Sequence, residues 1–222
     1  MARWQETLTR PRRRQLAAAC LLALSTLPGC STLAGAVLKP AIDTAASSVP
    51  AGDYALDKAH ASILFKIDHL GYSTYVGRFE RFDASLSGDP ESPETATVSA
   101  IVDISSLDIA NPEFAAELLG PDWFDAATYP TASFRTSGLD VTGVNQADIR
   151  GDLTLRGKTR EVTLKARLNG SAYDRLRGAD VVGFSAKLAI SRSAFGLGKY
   201  SGLLTDEVWI EIEAEFVRTP PG

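Results

Sequence analysis

Apolar and polar residues alternate at every second position through most of the chain after residue 51. In the clearest stretch, Ile63, Phe65 and Ile67 share one parity, whereas Lys66 and Asp68 share the other. The same alternation recurs near residues 98–104, 132–135, 162–168, 182–190 and 208–216. Successive side chains of a β-strand point to opposite faces, so this period predicts half-buried strands. With turn residues between the stretches, the pattern predicts roughly eight long strands.

Long antiparallel strands with one polar face must bury the other face, either in a sandwich or in a closed barrel. A barrel also removes exposed strand edges. One interruption is predicted to be helical, over Asn111–Gly120, because Asn111 suits an N-cap, Pro112 a first turn and Gly120 a C-terminal stop. The sequence therefore predicts an all-β fold with a short helical insertion.

The inward parity of nearly every strand mixes large apolar residues with a small one. The small residues are Ala100, Ala132, Gly151, Ala166, Ala186 and Ala214. An eight-stranded barrel either fills with side chains or holds one ligand. Small inward residues leave room for a ligand, but they also fit a tapering core. The pattern alone leaves both interpretations open.

The N-terminus has the three parts of an export signal. Arg10–Arg14 is basic, Leu16–Leu27 is apolar but too short to span a bilayer, and Leu27–Cys30 resembles a lipobox. We expect residues 1–29 to be a lipoprotein signal peptide and Cys30 to be acylated. The chain would then be exported and anchored in a membrane, facing the periplasm. Ser31 favours the outer membrane, by analogy with lipoprotein sorting in Gram-negative bacteria.

The mature chain would divide into two parts. Residues 30–50 are rich in Ala, Ser and Thr and are interpreted as the lipidated cysteine and a flexible tether, and residues 51–218 as the barrel domain. Residues 1–29 carry a net charge of +4 and the whole chain −4, so the rest carries −8. Such an acidic domain, without a basic stripe, argues against nucleic acid as a partner. The sequence leaves a protein partner unknown.

Residue types needed for catalysis or metal binding are sparse. The chain has two histidines, His60 and His69, and the predicted domain has no cysteine, so no metal site and no cofactor are predicted. No Gly-x-Ser-x-Gly elbow occurs, and no catalytic residue is predicted. Two further groups are interpreted as surface charges. They are the glutamates Glu211, Glu213 and Glu215 and the cations Arg78, Arg81, Arg192 and Lys199, although these cations could also meet an anionic headgroup.

Several motifs in register resemble the YceI-like family. They include Asp57–Gly71, Val76–Ala84, Tyr129–Phe134, Gly151–Gly157 and Ser191–Leu197, and the similarity extends over about residues 53–217. The resemblance implies an extended eight-stranded antiparallel barrel of lipocalin-like shape, in a family that is typically periplasmic. It also implies an apolar interior that holds an isoprenoid-type lipid, such as a quinone tail or a polyprenyl chain.

The residues expected to line such an interior are the large apolar ones on the inward parity. They are Ile63, Phe65, Ile67, Phe79, Val102, Phe134, Leu153, Leu164, Phe184, Leu188, Ile210 and Ile212. His69 shares the parity of Phe65 and Ile67 at the end of its strand. It is either a polar contact for a headgroup at the barrel mouth or a structural histidine bonded to backbone.

Three functions are compatible with these features. The first is non-enzymatic binding, carriage or sequestration of an isoprenoid lipid. The second is a structural or interaction lipoprotein, whose barrel is filled and whose helical insertion docks a protein through exposed Trp123 and Phe124. An enzyme acting on a bound lipid is the least supported, because the residues offer no catalytic set.

Overall fold

The computed structural model describes residues 38–220, and within them the chain is almost entirely β-structure. The strands are β1 (Gly52–Leu56), β2 (Ser62–His69), β3 (Ser73–Phe79), β4 (Phe82–Gly88), β5 (Thr97–Asp103), β6 (Leu107–Asp108), β7 (Thr131–Gly143), β8 (Gln146–Leu155), β9 (Lys158–Asp174), β10 (Ala179–Ser191) and β11 (Glu207–Arg218). The helix α1 (Pro112–Leu118) lies between β6 and β7.

These strands form one closed antiparallel barrel of eight positions. Each of the first three positions holds two consecutive short strands instead of one long strand. The first position holds β1 and β2, the second β3 and β4, and the third β5 and β6. The last five positions are the continuous strands β7 to β11. The barrel closes where β1 pairs with β11, with Leu56 opposite Phe216. The predicted all-β, eight-stranded barrel is confirmed.

Two of the strand breaks are made by capped turns. Between β1 and β2, the Asp57 carboxylate accepts a hydrogen bond from the Ala59 N–H and begins a short 3-10 helix, Lys58–His60. Between β5 and β6, Asp103 accepts from Ser105 N–H in the same way. The aspartate side chain accepts the backbone hydrogen bond that a neighbouring strand would otherwise accept, so strand pairing stops. The barrel wall bends at these points.

The barrel has two ends that differ in structure. At the helix end lie the β2–β3 turn, α1, the β8–β9 turn and residues 192–206. At the terminus end lie the start of β1, the end of β11 and the β4–β5, β7–β8 and β9–β10 connections. These names are used for the two ends below.

The predicted helical insertion is confirmed and forms part of the wall near the helix end. The Asn111 side chain caps α1 by accepting from the Phe114 N–H, and Pro112 is its first residue. β6 pairs with β3 only at Arg78 and Phe79. Beyond that point Phe114 packs edge-on against Tyr75 of β3, with ring centroids 6.2 Å apart. The insertion therefore covers the stretch of β3 that β6 does not pair.

Part of the segment interpreted as a flexible tether lies against the barrel at the terminus end. Asp43 pairs with Ser171 of β9, and the Ser48 hydroxyl lies 3.0 Å from that of Ser171. Val49 packs on the core cluster around Tyr54. These contacts are made by polar backbone and small side chains, which the composition of residues 30–50 did not indicate. Residues 30–37 lie outside the described part of the chain.

Candidate functional site

A cavity of about 700 Å³ occupies the interior of the barrel and extends along its length. Its wall is formed by the inward side chains of the strands, together with α1 and the loops at both ends. All twelve predicted lining residues lie on this wall: Ile63, Phe65, Ile67, Phe79, Val102, Phe134, Leu153, Leu164, Phe184, Leu188, Ile210 and Ile212. Their part in binding a ligand stays a prediction.

A row of small residues lines part of this space. Ala147, Ala166 and Ala186 lie side by side on β8, β9 and β10, because Ala166 is the register partner of both other alanines. All three line the cavity. Across the barrel, Ala84 and Ala100 are also register partners on the wall. Three adjacent inward side chains of one carbon each leave a groove that larger residues would fill.

Gly151 differs from the other small inward residues, because it does not line the cavity. A Cβ atom placed on it would lie 2.3 Å from the Phe134 ring and 2.6 Å from the Arg135 carbonyl oxygen. Its missing side chain therefore provides a seat for an aromatic ring that itself lines the cavity.

The aromatic lining residues pack against one another at angles. Phe65 and Phe79 have centroids 5.9 Å apart, Phe79 and Phe124 are 6.0 Å apart and nearly perpendicular, and Phe184 and Phe216 are 6.3 Å apart. The pairs Phe79–Phe124 and Phe184–Phe216 are edge-to-face, a geometry that is favourable beyond the area that it buries. They keep the wall aromatic and apolar without closing the cavity.

The buried polar groups on the wall already have partners in the protein. The Tyr54 hydroxyl donates to the Pro50 carbonyl, and burial raises the pKa of this phenol. The Arg192 guanidinium, which is 4% exposed, donates to the carbonyls of Thr205, Lys199 and Leu197. Arg192 is thus a structural residue that holds the loop at the helix end, and it is not the surface charge that the sequence suggested.

The other three predicted surface cations are paired with carboxylates. Arg78 contacts Asp108 and Glu80, Arg81 contacts Asp103, and Lys199 contacts Glu117 and Asp122. These pairs give each cation a local structural partner, which accounts for their positions without a bound headgroup.

His69 lies at the end of β2, exposed to solvent and on the cavity wall. Its ring is 6.4 Å from that of Tyr75. Within residues 38–220 no hydrogen bond to the His69 ring is formed, so a structural bond from the ring to backbone does not explain it. A headgroup contact at this position stays a prediction.

Several wall residues were not predicted. Tyr54, Leu56 and Ile149 share the inward parity of their strands, so the alternation could have identified them. Leu139 has the opposite parity to Phe134 and is turned inward by the register shift between Thr136 and Gly138, which alternation does not reveal. Leu70, Tyr200 and Leu203 lie on loops, where no strand parity applies. Only the three-dimensional path of these loops places them at the cavity.

One described cluster brings three potential metal ligands together, namely Asp57, His60 and Glu215. Arg177 already occupies its centre, with Nη2 2.9 Å from the Asp57 carboxylate and 2.8 Å from that of Glu215. The hydrogen bond with His60 lowers the pKa of Asp57. The cluster is an ion-pair network that ties the β9–β10 turn to the break between β1 and β2.

The interaction hypothesis loses both of its structural supports. Trp123 is 6% exposed and packs with Leu107, Ile109 and Leu118, and Phe124 lines the cavity. The expectation that these two aromatics are exposed is wrong, because the chain after α1 folds back onto the barrel wall. The filled barrel that this hypothesis requires is not observed either, because the interior holds the cavity.

The N-terminal predictions, which are the signal peptide at residues 1–29 and acylation at Cys30, lie outside the described residues. Between residues 38 and 220, no helix combines the length and the apolar character that crossing a membrane requires.

Comparison with known proteins identifies the family. The YceI-like domain model matches residues 54–216. A UPF0312 protein of Azotobacter vinelandii is 36% identical over 189 residues, which are 84% of this chain and 97% of that protein. A UPF0312 protein of Pseudomonas aeruginosa is 35% identical over 189 residues, which again cover 84% of this chain and 97% of the relative.

Solved structures agree with this assignment. Burkholderia cenocepacia BcnA matches with a TM-score of 0.66 and 27% identity, covering 72% of this chain and 98% of BcnA. The Campylobacter jejuni YCEI protein matches with a TM-score of 0.63 and 27% identity, covering 70% and 91%. A polyisoprenoid binding domain from Saccharophagus degradans, with a TM-score of 0.58, covers 75% and 98%, and its 15% identity indicates a shared fold alone. The chain therefore belongs to the YceI-like family.

Proposed function

We propose that this protein binds an isoprenoid-type lipid, with a quinone or polyprenyl chain contained in the barrel, and carries or sequesters it in the periplasm. The observation that carries the proposal is the apolar cavity along the barrel interior. Burial of a chain in such a cavity contributes about 0.8 kcal/mol per methylene. The fold shared with the polyisoprenoid binding domain of Saccharophagus degradans supports the same class of ligand.

Containment without chemistry is the mechanism that the wall supports. The buried phenol of Tyr54 and the buried guanidinium of Arg192 are both bonded to backbone carbonyls. Neither is directed at a ligand as an acid, a base or an electrophile. A wall of aliphatic and aromatic side chains recognises length and apolar character, which is what an isoprenoid chain presents.

We also propose that the protein is an exported lipoprotein, acylated at Cys30 and held at the outer membrane. Several acyl chains on one cysteine would anchor the domain firmly. A Cys30→Ser variant expressed in a Gram-negative host is expected to lose the acyl mass. A wild-type protein whose intact mass equals that of the unmodified polypeptide would contradict acylation.

The binding proposal is tested by native mass spectrometry of the Cys30→Ser protein with a cleavable secretory signal in place of residues 1–29. The protein is purified from cells without detergent and then extracted with solvent. An isoprenoid mass in the complex and in the extract is the expected result. A protein that is empty and also fails to take up added quinones or polyprenols would contradict the proposal. That result would favour a structural or interaction role.

A further inference from the structure

We propose that the helix end of the barrel docks on the surface of a zwitterionic phospholipid bilayer through an apolar rim, defined as Leu70, Tyr72, Tyr200 and Leu203. This inference rests on the proposed function, because a protein that contains a lipid must exchange it with a membrane. It adds the surface through which that exchange takes place.

The rim side chains are large, apolar and turned toward solvent. Tyr72 is 84% exposed, Leu203 66%, Tyr200 51% and Leu70 47%. Leu70, Tyr200 and Leu203 also line the cavity. The same side chains thus belong to the interior wall and to the outer surface, which makes the apolar surface continuous from the cavity to the solvent. Exposed apolar surface of this kind marks interaction sites.

The rim residues come from two loops that the sheet places next to each other. β2 pairs with β11, with Ile67 opposite Val208, so the turn after β2 and the loop before β11 emerge side by side. Leu70 and Tyr72 lie in the first of these connections, and Tyr200 and Leu203 in the second. One flat surface can therefore contact both loops together.

The backbone at two rim positions would suit glycine or asparagine better than the residues present. Leu70 has φ of 59° and Tyr200 has φ of 60°, both in the left-handed region. Residues with a Cβ are disfavoured there, and a bulky one is unusual. The turns could form with less strain and less exposed apolar surface. Strain retained for a large apolar side chain points to a role for that side chain beyond the turn.

The charge around the rim selects the kind of bilayer. Lys199, the cation beside Tyr200, lies 3.3 Å from the carboxylates of both Glu117 and Asp122. Residues 30–222 carry a net charge of −8. A net negative domain whose cation beside Tyr200 is paired with two carboxylates gains little from anionic lipid, so contact depends on apolar insertion among zwitterionic headgroups.

The terminus end is the competing mouth, because Val144 is exposed and also lines the cavity. That end is partly covered by residues 43–50, through the pairing of Asp43 with Ser171 and the packing of Val49. Leu176 is exposed at the terminus end, between Arg175 and Arg177. Leu176 resembles Leu203 in residue type and exposure but lies away from the cavity, so it provides a matched control.

The test attaches an environment-sensitive fluorophore at one position of the mature chain, residues 30–222, in which Cys30→Ser leaves no other thiol. Three chains carry Leu203→Cys, Leu176→Cys or Val144→Cys, and each is mixed with phosphatidylcholine vesicles that contain a lipid-bound quencher. A label at 203 is expected to shift to the blue and to be quenched several-fold more than a label at 176 or 144. Adding anionic phosphatidylglycerol is not expected to strengthen the response.

A second substitution tests the rim itself. In the chain labelled at 203, Tyr72→Ser is expected to lower the apparent partition coefficient of the label about tenfold, because a large apolar surface no longer enters the bilayer. Equal quenching at 203 and 176, stronger quenching at 144, or no response at 203 would overturn the proposal.

Uptake of a quinone by the same chains, followed by native mass spectrometry, separates the two proposals. Uptake without insertion at 203 overturns the docking surface and leaves containment intact. Insertion at 203 without uptake supports the docking surface and contradicts containment.

Discussion

Gly151 shows how a single residue sets the shape of the cavity wall. We expect Gly151→Ala to lower the free energy of unfolding by about 1–3 kcal/mol, because its Cβ would overlap the Phe134 ring and a backbone oxygen. Equilibrium urea unfolding measures the change. Gly198→Ala is the matched control, since no atom lies within 4 Å of the added Cβ, and we expect a change within about 0.5 kcal/mol. Equal losses in the two variants would refute this account of Gly151.

Parity predicted the side chains on strands well and those on loops poorly. Ile63 and Phe134 were assigned inward because alternation fixes the face of a strand residue. Gly151 was also correctly placed inward, but the sequence could not show that a neighbouring ring takes its space. Trp123 was expected to be exposed and is buried, because its position depends on how the chain after α1 folds back.

At the scale of elements, the outer face of β11 joins its two neighbours through charge. Glu211 accepts from Lys66 of β2 at 2.6 Å and from Lys187 of β10 at 3.1 Å. The hydrogen bond from Lys66, followed by that from Lys187, lowers the pKa of Glu211 below its ordinary value of 4.5. The surface glutamate expected from the sequence thus forms a cross-strand bridge.

This bridge predicts a pH dependence. The pKa of Glu211 is lower in the folded chain than in the unfolded one, so its stabilisation is present above pH 4.5 and is lost as the pH falls through the folded value. At pH 7 we expect Glu211→Gln to have a lower urea midpoint of unfolding than the wild type. At pH ~2 we expect the two midpoints to be equal, because residue 211 is uncharged in both chains.

Glu161→Gln is the control for that comparison. Glu161 lies opposite Asp152 on the outer face, so the substitution removes a repulsion between two like charges. It should therefore not lower the urea midpoint of unfolding at pH 7. A wild-type advantage over Glu211→Gln that persists unchanged at the lowest pH would show that the bridge is not electrostatic.

The strand breaks are the part of the element structure that the sequence did not indicate. Asp57 and Asp103 each end a strand by capping a short 3-10 helix, yet an aspartate beside a strand is common and rarely breaks it. The helix α1 was predicted more fully, because the N-cap, the proline and the final glycine are adjacent in the sequence and act locally.

At the scale of the whole molecule, the cavity follows from where small residues meet across strands. Alternation identified Ala166 and Ala186 as inward, but only the strand register places Ala147, Ala166 and Ala186 in one row. Sequence spacing therefore left a filled core and a cavity equally compatible. The closure of the barrel through β1 and β11 likewise depends on pairing between the two ends of the domain, which no local pattern encodes.

The central claim is that the cavity contains an apolar lipid, and filling it tests that claim most directly. Ala166→Phe places a ring in the middle of the alanine row, whereas Thr163→Phe places the same ring on the outer face of the same strand, at an exposed position. Each variant and the parent Cys30→Ser chain would be purified without detergent, and the fraction of lipid-bound protein measured by native mass spectrometry. We predict that Ala166→Phe loses most of the bound lipid, while Thr163→Phe and the parent retain it and all three unfold cooperatively. Equal lipid occupancy in Ala166→Phe and the parent would contradict containment in the barrel.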